Sequence, residues 1–203
     1  PVFFDVEGLP DRDFYYLVGV RVERPNGTEH QSLWADSPAD EKRIWEDFLG
    51  ILSEVDRPTL LHYGSFEKTF LKKMCERHGG PPEPSAAATA IASATNLLAV
   101  IYARIYFPAY SNGLKEIARF LGFEWSDRSA SGLLSISWRS RWEESRDAGL
   151  RDRLIAYNAD DCEALSLIAR TIVRLLSLEV PAGERGAVPE VVHAEELGRN
   201  ILS

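Results

Sequence analysis

The hydrophobic positions in the first third of the chain read as a meander of strands. Val2 to Val6 reads as a short strand too apolar for an exposed edge, with Asp5 and Glu7 closing it. Phe14 to Glu23 is rich in β-branched and aromatic residues, and Pro25-Asn26-Gly27 supplies a turn into a third strand, Thr28 to Ala35. The pattern then lengthens to that of helices. Ser37 and Pro38 read as an N-cap and a first helical residue, followed by one apolar face of Ile44, Trp45, Phe48, Leu49 and Leu52. Arg57-Pro58 ends that helix and opens a fourth strand, Thr59 to Tyr63. Ser65 is placed to cap the next helix, which turns Phe66, Phe70, Leu71 and Met74 inward and stops at His78-Gly79-Gly80-Pro81-Pro82.

Residues 83–95 carry few large apolar side chains and read as a surface loop passing into a helix. The pattern is helical from Asn96 to Tyr106, broken at Pro108, and helical again from Gly113 to Leu121. A Trp- and Arg-rich stretch, Trp138 to Arg153, leads into a long helix from about Leu150 to Leu178. Residues 1–178 are expected to form one domain, with 179–203 as a tail or linker. Three strands, a helix, a strand and then mostly helices predict an α/β fold. Its sheet is expected to be mixed, a three-stranded antiparallel meander plus parallel strands, flanked by helices.

Composition narrows the class. With 203 residues, 45% of them hydrophobic, the chain can bury a sizeable core. No apolar run approaches the ~20 residues of a membrane span, and no secretory signal is visible. The abrupt start on strand-like residues suggests a domain cut from a longer protein. Cys75 and Cys162 lie in unrelated contexts and offer neither a disulfide framework nor a zinc site. They read as free thiols of a cytoplasmic protein. The net charge of −8 opposes phosphate binding, but residues 101–153 carry nine Lys or Arg against seven acids. A metal-binding acid cluster is also repulsive only until its cations arrive.

Three acidic signatures carry the candidate chemistry. Asp5 and Glu7 lie on one face of a strand, about 7 Å apart along it, where they could share or bridge cations. Glu67 opens a helix directly after the fourth strand. Tyr157 and Asp161 lie at i and i+4 on the late helix and so share a face, whereas Asp160 points elsewhere. Together these acids suit Mg²⁺ or Mn²⁺, two ions being the natural number for an in-line phosphodiester displacement. Tyr157 is then suited to orienting the attacking water.

These motifs resemble the DEDD exonucleases of the RNase H-like superfamily, in their tyrosine subclass. Asp5-Val6-Glu7 matches the first family motif, His62-Tyr63-Gly64-Ser65-Phe66-Glu67 the second, and Tyr157 with Asp161 the third. Ala156 stands where the histidine subclass would carry His, and Glu67 stands where the second motif usually ends in Asp. Two further stretches, Tyr106 to Lys115 and Leu121 to Trp125, are similar to bacterial YprB-type RNase H-like domains. The resemblance implies a metal-dependent 3′–5′ exonuclease in which Asp5, Glu7, Glu67 and Asp161 hold the metals. It also implies a nucleic-acid substrate, DNA or RNA with single-stranded DNA the first choice, and a fused or associated RecB-like nuclease or helicase domain. A weakly catalytic nucleic-acid-binding or scaffold module, or an endonuclease at the same site, remain as alternatives.

Four further residues are candidates for strand contact. Trp138 and Arg139 interleave an aromatic with a cation, as single-strand binders do, and the pattern repeats at Arg141-Trp142. Lys115 and Arg119 share a helix face. His62 ends a strand near Glu67. No phosphate-cradling Gly loop, Ser-His-Asp set or Cys/His cluster is present.

Overall fold

The computed structural model describes residues 1–129 and 131–177; the expected tail, 179–203, lies outside the described residues. Five strands form one sheet: β1 (Val2–Leu9), β2 (Phe14–Arg24), β3 (Gly27–Trp34), β4 (Leu60–His62) and β5 (Thr95–Asn96), in the order β3-β2-β1-β4-β5. The first three form the expected antiparallel meander, and β4 and β5 run parallel to β1. Seven α-helices flank the sheet among the described residues: α1 (Glu41–Glu54), α2 (Phe66–His78), α3 (Ala86–Ala92), α4 (Leu97–Arg104), α5 (Leu114–Phe120), α6 (Gly132–Ser145) and α7 (Ala148–Ser177).

Alternation along β1 assigns helices to the two faces. Phe4 meets Phe48 of α1 at a ring separation of 5.4 Å, while its neighbour Asp5 meets Asn158 of α7. The α1 side is an aromatic core in which Trp45, Phe48 and Phe70 pack edge to face or stacked. Buried Glu41 ties that layer to the sheet: it accepts from the Tyr15 backbone N–H and pairs with Arg77 at 3.0 Å.

Several boundaries differ from expectation. Strand β1 does not end at the acids but runs on to Leu9, because β2 keeps pairing with it beyond them. Its pairing with β4 stops at Phe3 and Leu61, so Asp5 and Glu7 lie where the parallel neighbour has left β1. A bulge follows Glu7, whose partner is Leu17 while Gly8 pairs with Tyr15. Such bulges bend a strand and re-aim its side chains. Ser65 stands at the α2 N-cap position, but its hydroxyl accepts no capping bond. Ser37 and Pro38 open a 3-10 turn, Pro38–Asp40, in which Asp40 reaches back to the Ser37 N–H at 3.0 Å before α1 begins. The stretch 83–95 contains α3 and part of the two-residue β5, and the Trp- and Arg-rich stretch contains most of α6.

Candidate metal centre

Helix α7 crosses the sheet over β1 and β2 and lowers Asp161 onto the two strand acids. One carboxylate oxygen each from Asp5, Glu7 and Asp161 lie within 4.8 Å of one another. Three acids drawn from positions 5, 7 and 161 thus form one oxygen-only donor set, the kind that hard divalent cations prefer.

Each member of the trio is held by a neutral donor from a different part of the chain. Asn158 Nδ2 donates to Asp5 Oδ2 at 2.7 Å and to the Asp5 carbonyl at 3.1 Å. The Ser135 hydroxyl of α6 donates to Glu7 Oε2 at 2.7 Å. Trp125, between α5 and α6, donates its indole N–H to Asp161 Oδ1 at 2.7 Å. Such outer donors fix a ligating group without neutralising it. None of the three stood out in the sequence as a site residue. The one trace of Asn158 is Gly19, which pairs with Asp5 on β2; a Cβ there would collide with Asn158 Oδ1.

The charges in this pocket are unfavourable without a counter-ion. Burial, aided by the neighbouring acids, pushes Asp5 well above the usual carboxylate range. Burial also lifts Glu7 to about 8, against the hydrogen bond from Ser135. Asp161 is pushed up to about 6 by burial, with Trp125 and Lys115 pulling it down. The trio therefore resists full ionisation by itself, and a divalent cation is the species that would reverse this.

A family model of the RNase H superfamily, RNase_H_2, matches residues 2–173. The chain belongs to the RNase H superfamily. No curated protein and no solved structure gives a significant match. RNase H-like proteins are in general nucleases that act on nucleic acid with divalent metals, and the acid trio of this superfamily member is such a potential metal site. Among the described residues, no helix is long and apolar enough to cross a membrane.

The remaining expected site residues divide into three groups. Glu67, in the first turn of α2, is buried beside the trio, where its charge helps raise Asp5 and Glu7, but it lies outside the three-acid cluster. Its Oε2 has no hydrogen-bond partner and stands 3.7 Å from His62 Nδ1. Tyr157 is buried next to Asp161, and burial together with the Asp161, Glu7 and Asp5 charges drives its hydroxyl far above the usual phenol value. The Lys115 ammonium lies over the Tyr157 ring at 4.3 Å and over Trp125 at 5.4 Å, and Arg119 also covers Trp125. These two cations therefore flank the centre.

Trp138 and Arg139 do not reach it as a strand-binding pair. Arg139 is 0% exposed. It donates to the carbonyls of Ala35 (2.9 Å) and Asp36 (2.7 Å) and pairs with Glu143. Its guanidinium lies among the rings of Phe14, Tyr16, Trp34 and Trp142. Trp138 is likewise buried, under Arg153. Both belong to the packing of α6 against the sheet, and neither has a face left for a base or a phosphate. Asp160, expected to point elsewhere, accepts from the Ser126 N–H at 2.8 Å. Cys162 is buried and Cys75 half-buried, both as free thiols.

Proposed function

We propose that this protein is a divalent-metal-dependent 3′–5′ exonuclease acting on single-stranded nucleic acid, with DNA as the preferred substrate, and that it works as a module of a larger nucleic-acid-processing protein in the cytoplasm. The observation that carries the reading is the convergence of Asp5, Glu7 and Asp161 within 4.8 Å, with Tyr157 and Lys115 against the same carboxylates. Asp5, Glu7, Glu67 and Asp161 would hold Mg²⁺ or Mn²⁺. Four carboxylates balance the charge of two such ions, and the all-oxygen donor set fits them. When bound, the ions supply an activated water and charge stabilisation for the leaving oxygen.

The chain's own residues take the other roles. Tyr157, whose hydroxyl is pushed up by burial and then by the neighbouring acids, serves as a hydrogen-bond donor that orients the attacking water. Asn158, Ser135 and Trp125 each hold one oxygen of a trio carboxylate and so would orient that group for a bound cation. Lys115 and Arg119 bring positive charge to the side where a phosphodiester must approach an acidic pocket. Beside them, a groove of about 390 Å³ lined by Arg119, Phe123, Glu124, Trp125 and Arg128 offers the strand two aromatic rings and two cations, of which Arg128 is paired with Glu124.

The test is hydrolysis of end-labelled single strands by the purified protein in Mn²⁺ or Mg²⁺. Stepwise shortening from the 3′ end, abolished in Asp5→Asn and Asp161→Asn, is the expected result. Cleavage of circular single-stranded DNA would replace the exonuclease reading with an endonuclease, and intact substrate under all metals would remove the enzymatic reading.

A further inference from the structure

Three of the four proposed ligands each have a neutral donor, and the fourth has none. Glu67 is 4% exposed, yet its Oε2 accepts no hydrogen bond. A buried, unsatisfied carboxylate oxygen is costly and rare in native proteins. Facing it at 3.7 Å is His62 Nδ1, on a ring 1% exposed and equally without a partner. A carboxylate oxygen and an imidazole nitrogen, both buried, both unpartnered and 3.7 Å apart, can satisfy one another once Nδ1 is the protonated nitrogen. We infer that His62 is the positioning residue for Glu67: its Nδ1–H donates to Glu67 Oε2 when the centre is loaded, and turns the other carboxylate oxygen towards the cation. The inference rests on the metal-dependent reading above and extends it to how the fourth ligand is set.

The surroundings make His62 suitable for that task. It ends β4 and packs on Phe4 at a ring separation of 5.8 Å, one residue before Asp5, so its ring is fixed relative to the first two ligands. The turn between His62 and Glu67 is pinned from the neighbouring strand, where Asn96 Oδ1 accepts from the Gly64 N–H at 2.9 Å and from Leu98 at 3.0 Å. Gly64 has φ of 90°, a backbone that only glycine adopts without strain. The scaffold is therefore rigid, and the freedom left is in Glu67 itself. Glutamate has one more rotatable bond than aspartate, which spreads its carboxylate over more positions unless something holds it. Closing 3.7 Å to the ~2.8 Å of a charge-assisted hydrogen bond needs a shift of under about 1 Å, within reach of the terminal torsions of Glu67.

Mn²⁺ titration of the full chain, read from the paramagnetic resonance signal of free Mn²⁺, tests this without reference to turnover. The wild type should bind a tighter and a weaker ion. His62→Leu should weaken the weaker site by about ten- to a hundredfold, the effect usual for losing an outer-shell partner, while changing the tighter one by less than about threefold. His62→Asn carries an N–H at the position of Nδ1 and should restore the weaker site. His62→Gln places its donor one bond further out and should not. If His62→Leu fails to fold, judged by its melting curve, the contrast between Asn and Gln decides. Unchanged binding in His62→Leu, or equal loss in Asn and Gln, overturns the positioning role. If His62 variants bind normally while Asp5→Asn loses both ions, the metal-dependent reading stands and only this inference falls. If the wild type takes up no Mn²⁺, both fall.

Discussion

Gly19→Ala is the smallest change that should disturb the centre, because it acts on the contact that seats α7 on the sheet. Gly19 pairs with Asp5 across β1 and β2, and α7 comes down at that point through Asn158. A Cβ at position 19 would overlap Asn158 Oδ1, stand 2.9 Å from its Cγ, and lie 3.1 Å from Cys162 Sγ. Either the amide rotates away and gives up its bonds to Asp5, or the helix lifts. Overpacking of this kind costs about 1–3 kcal/mol, and each of the two bonds from Asn158 to Asp5 contributes roughly 0.5–1.5 kcal/mol. A loss of about 3 kcal/mol is therefore expected, read as a lower urea midpoint at constant slope. Asn158→Ala alone should lose about 2 kcal/mol by giving up the bonds. Adding Gly19→Ala to it should then cost under about 1 kcal/mol, since the colliding amide is gone and only Cys162 must yield. Refutation is simple: a Gly19→Ala variant within about 0.5 kcal/mol of wild type, or costs that add in the double variant, would show that Asn158 does not set this contact.

Stability of the metal-free protein should fall as pH rises. The folded state holds protons on Glu7 and Asp161 more tightly than the unfolded chain does, so their contribution is complete below pH 4 and is lost as pH passes about 6 for Asp161 and about 8 for Glu7. Melting curves in chelator across that range should show the decline, and the stabilisation by added Mg²⁺ should grow over the same interval. Trp125→Phe removes the donor that pulls Asp161 down, so its acid limb in the activity profile should move to higher pH, with a loss of about 1.5–3 kcal/mol in urea unfolding. Arg139→Met should destabilise by about 3 kcal/mol, because the carbonyls of Ala35 and Asp36 lose their partner in a buried site. Per folded molecule, its affinity for single-stranded DNA in a filter-binding assay should be unchanged.

The elements legible in the sequence are those whose signal is local. β-Branched and aromatic content located β2 and alternation located β3, while helical spacing located α1, α2 and α7, whose apolar residues fall on one buried face. Strand β5 was not legible: two residues, Thr95 and Asn96, hold no period, and they are a strand only because β4 is there to pair with them. The end of β1 was misread for the same reason. Asp5 and Glu7 look like a strand terminus by polarity, yet β2 supplies hydrogen bonds beyond them, and the polar side chains are explained by what α7 brings opposite.

The site divides along a similar line. Asp5 with Glu7, and Tyr157 with Asp161, were readable because backbone geometry alone puts each pair on one face. Trp138 and Arg139 were not, since aromatics beside a cation describe a strand-binding surface and a buried cage equally well. What decides between them is a pair of carbonyls about a hundred positions away, at Ala35 and Asp36, which consume the guanidinium. Asn158, Ser135 and Trp125 were invisible because a neutral donor has no motif; its role exists only once the fold has chosen the carboxylate it faces. Glu67 stands between these cases. Its position at the start of α2 follows from sequence, but its approach to His62, 3.7 Å away on a ring packed against Phe4, exists only in the folded chain. Acids can thus be listed from sequence, whereas the donors that aim them are settled by tertiary packing, and those donors decide whether four carboxylates make a metal centre.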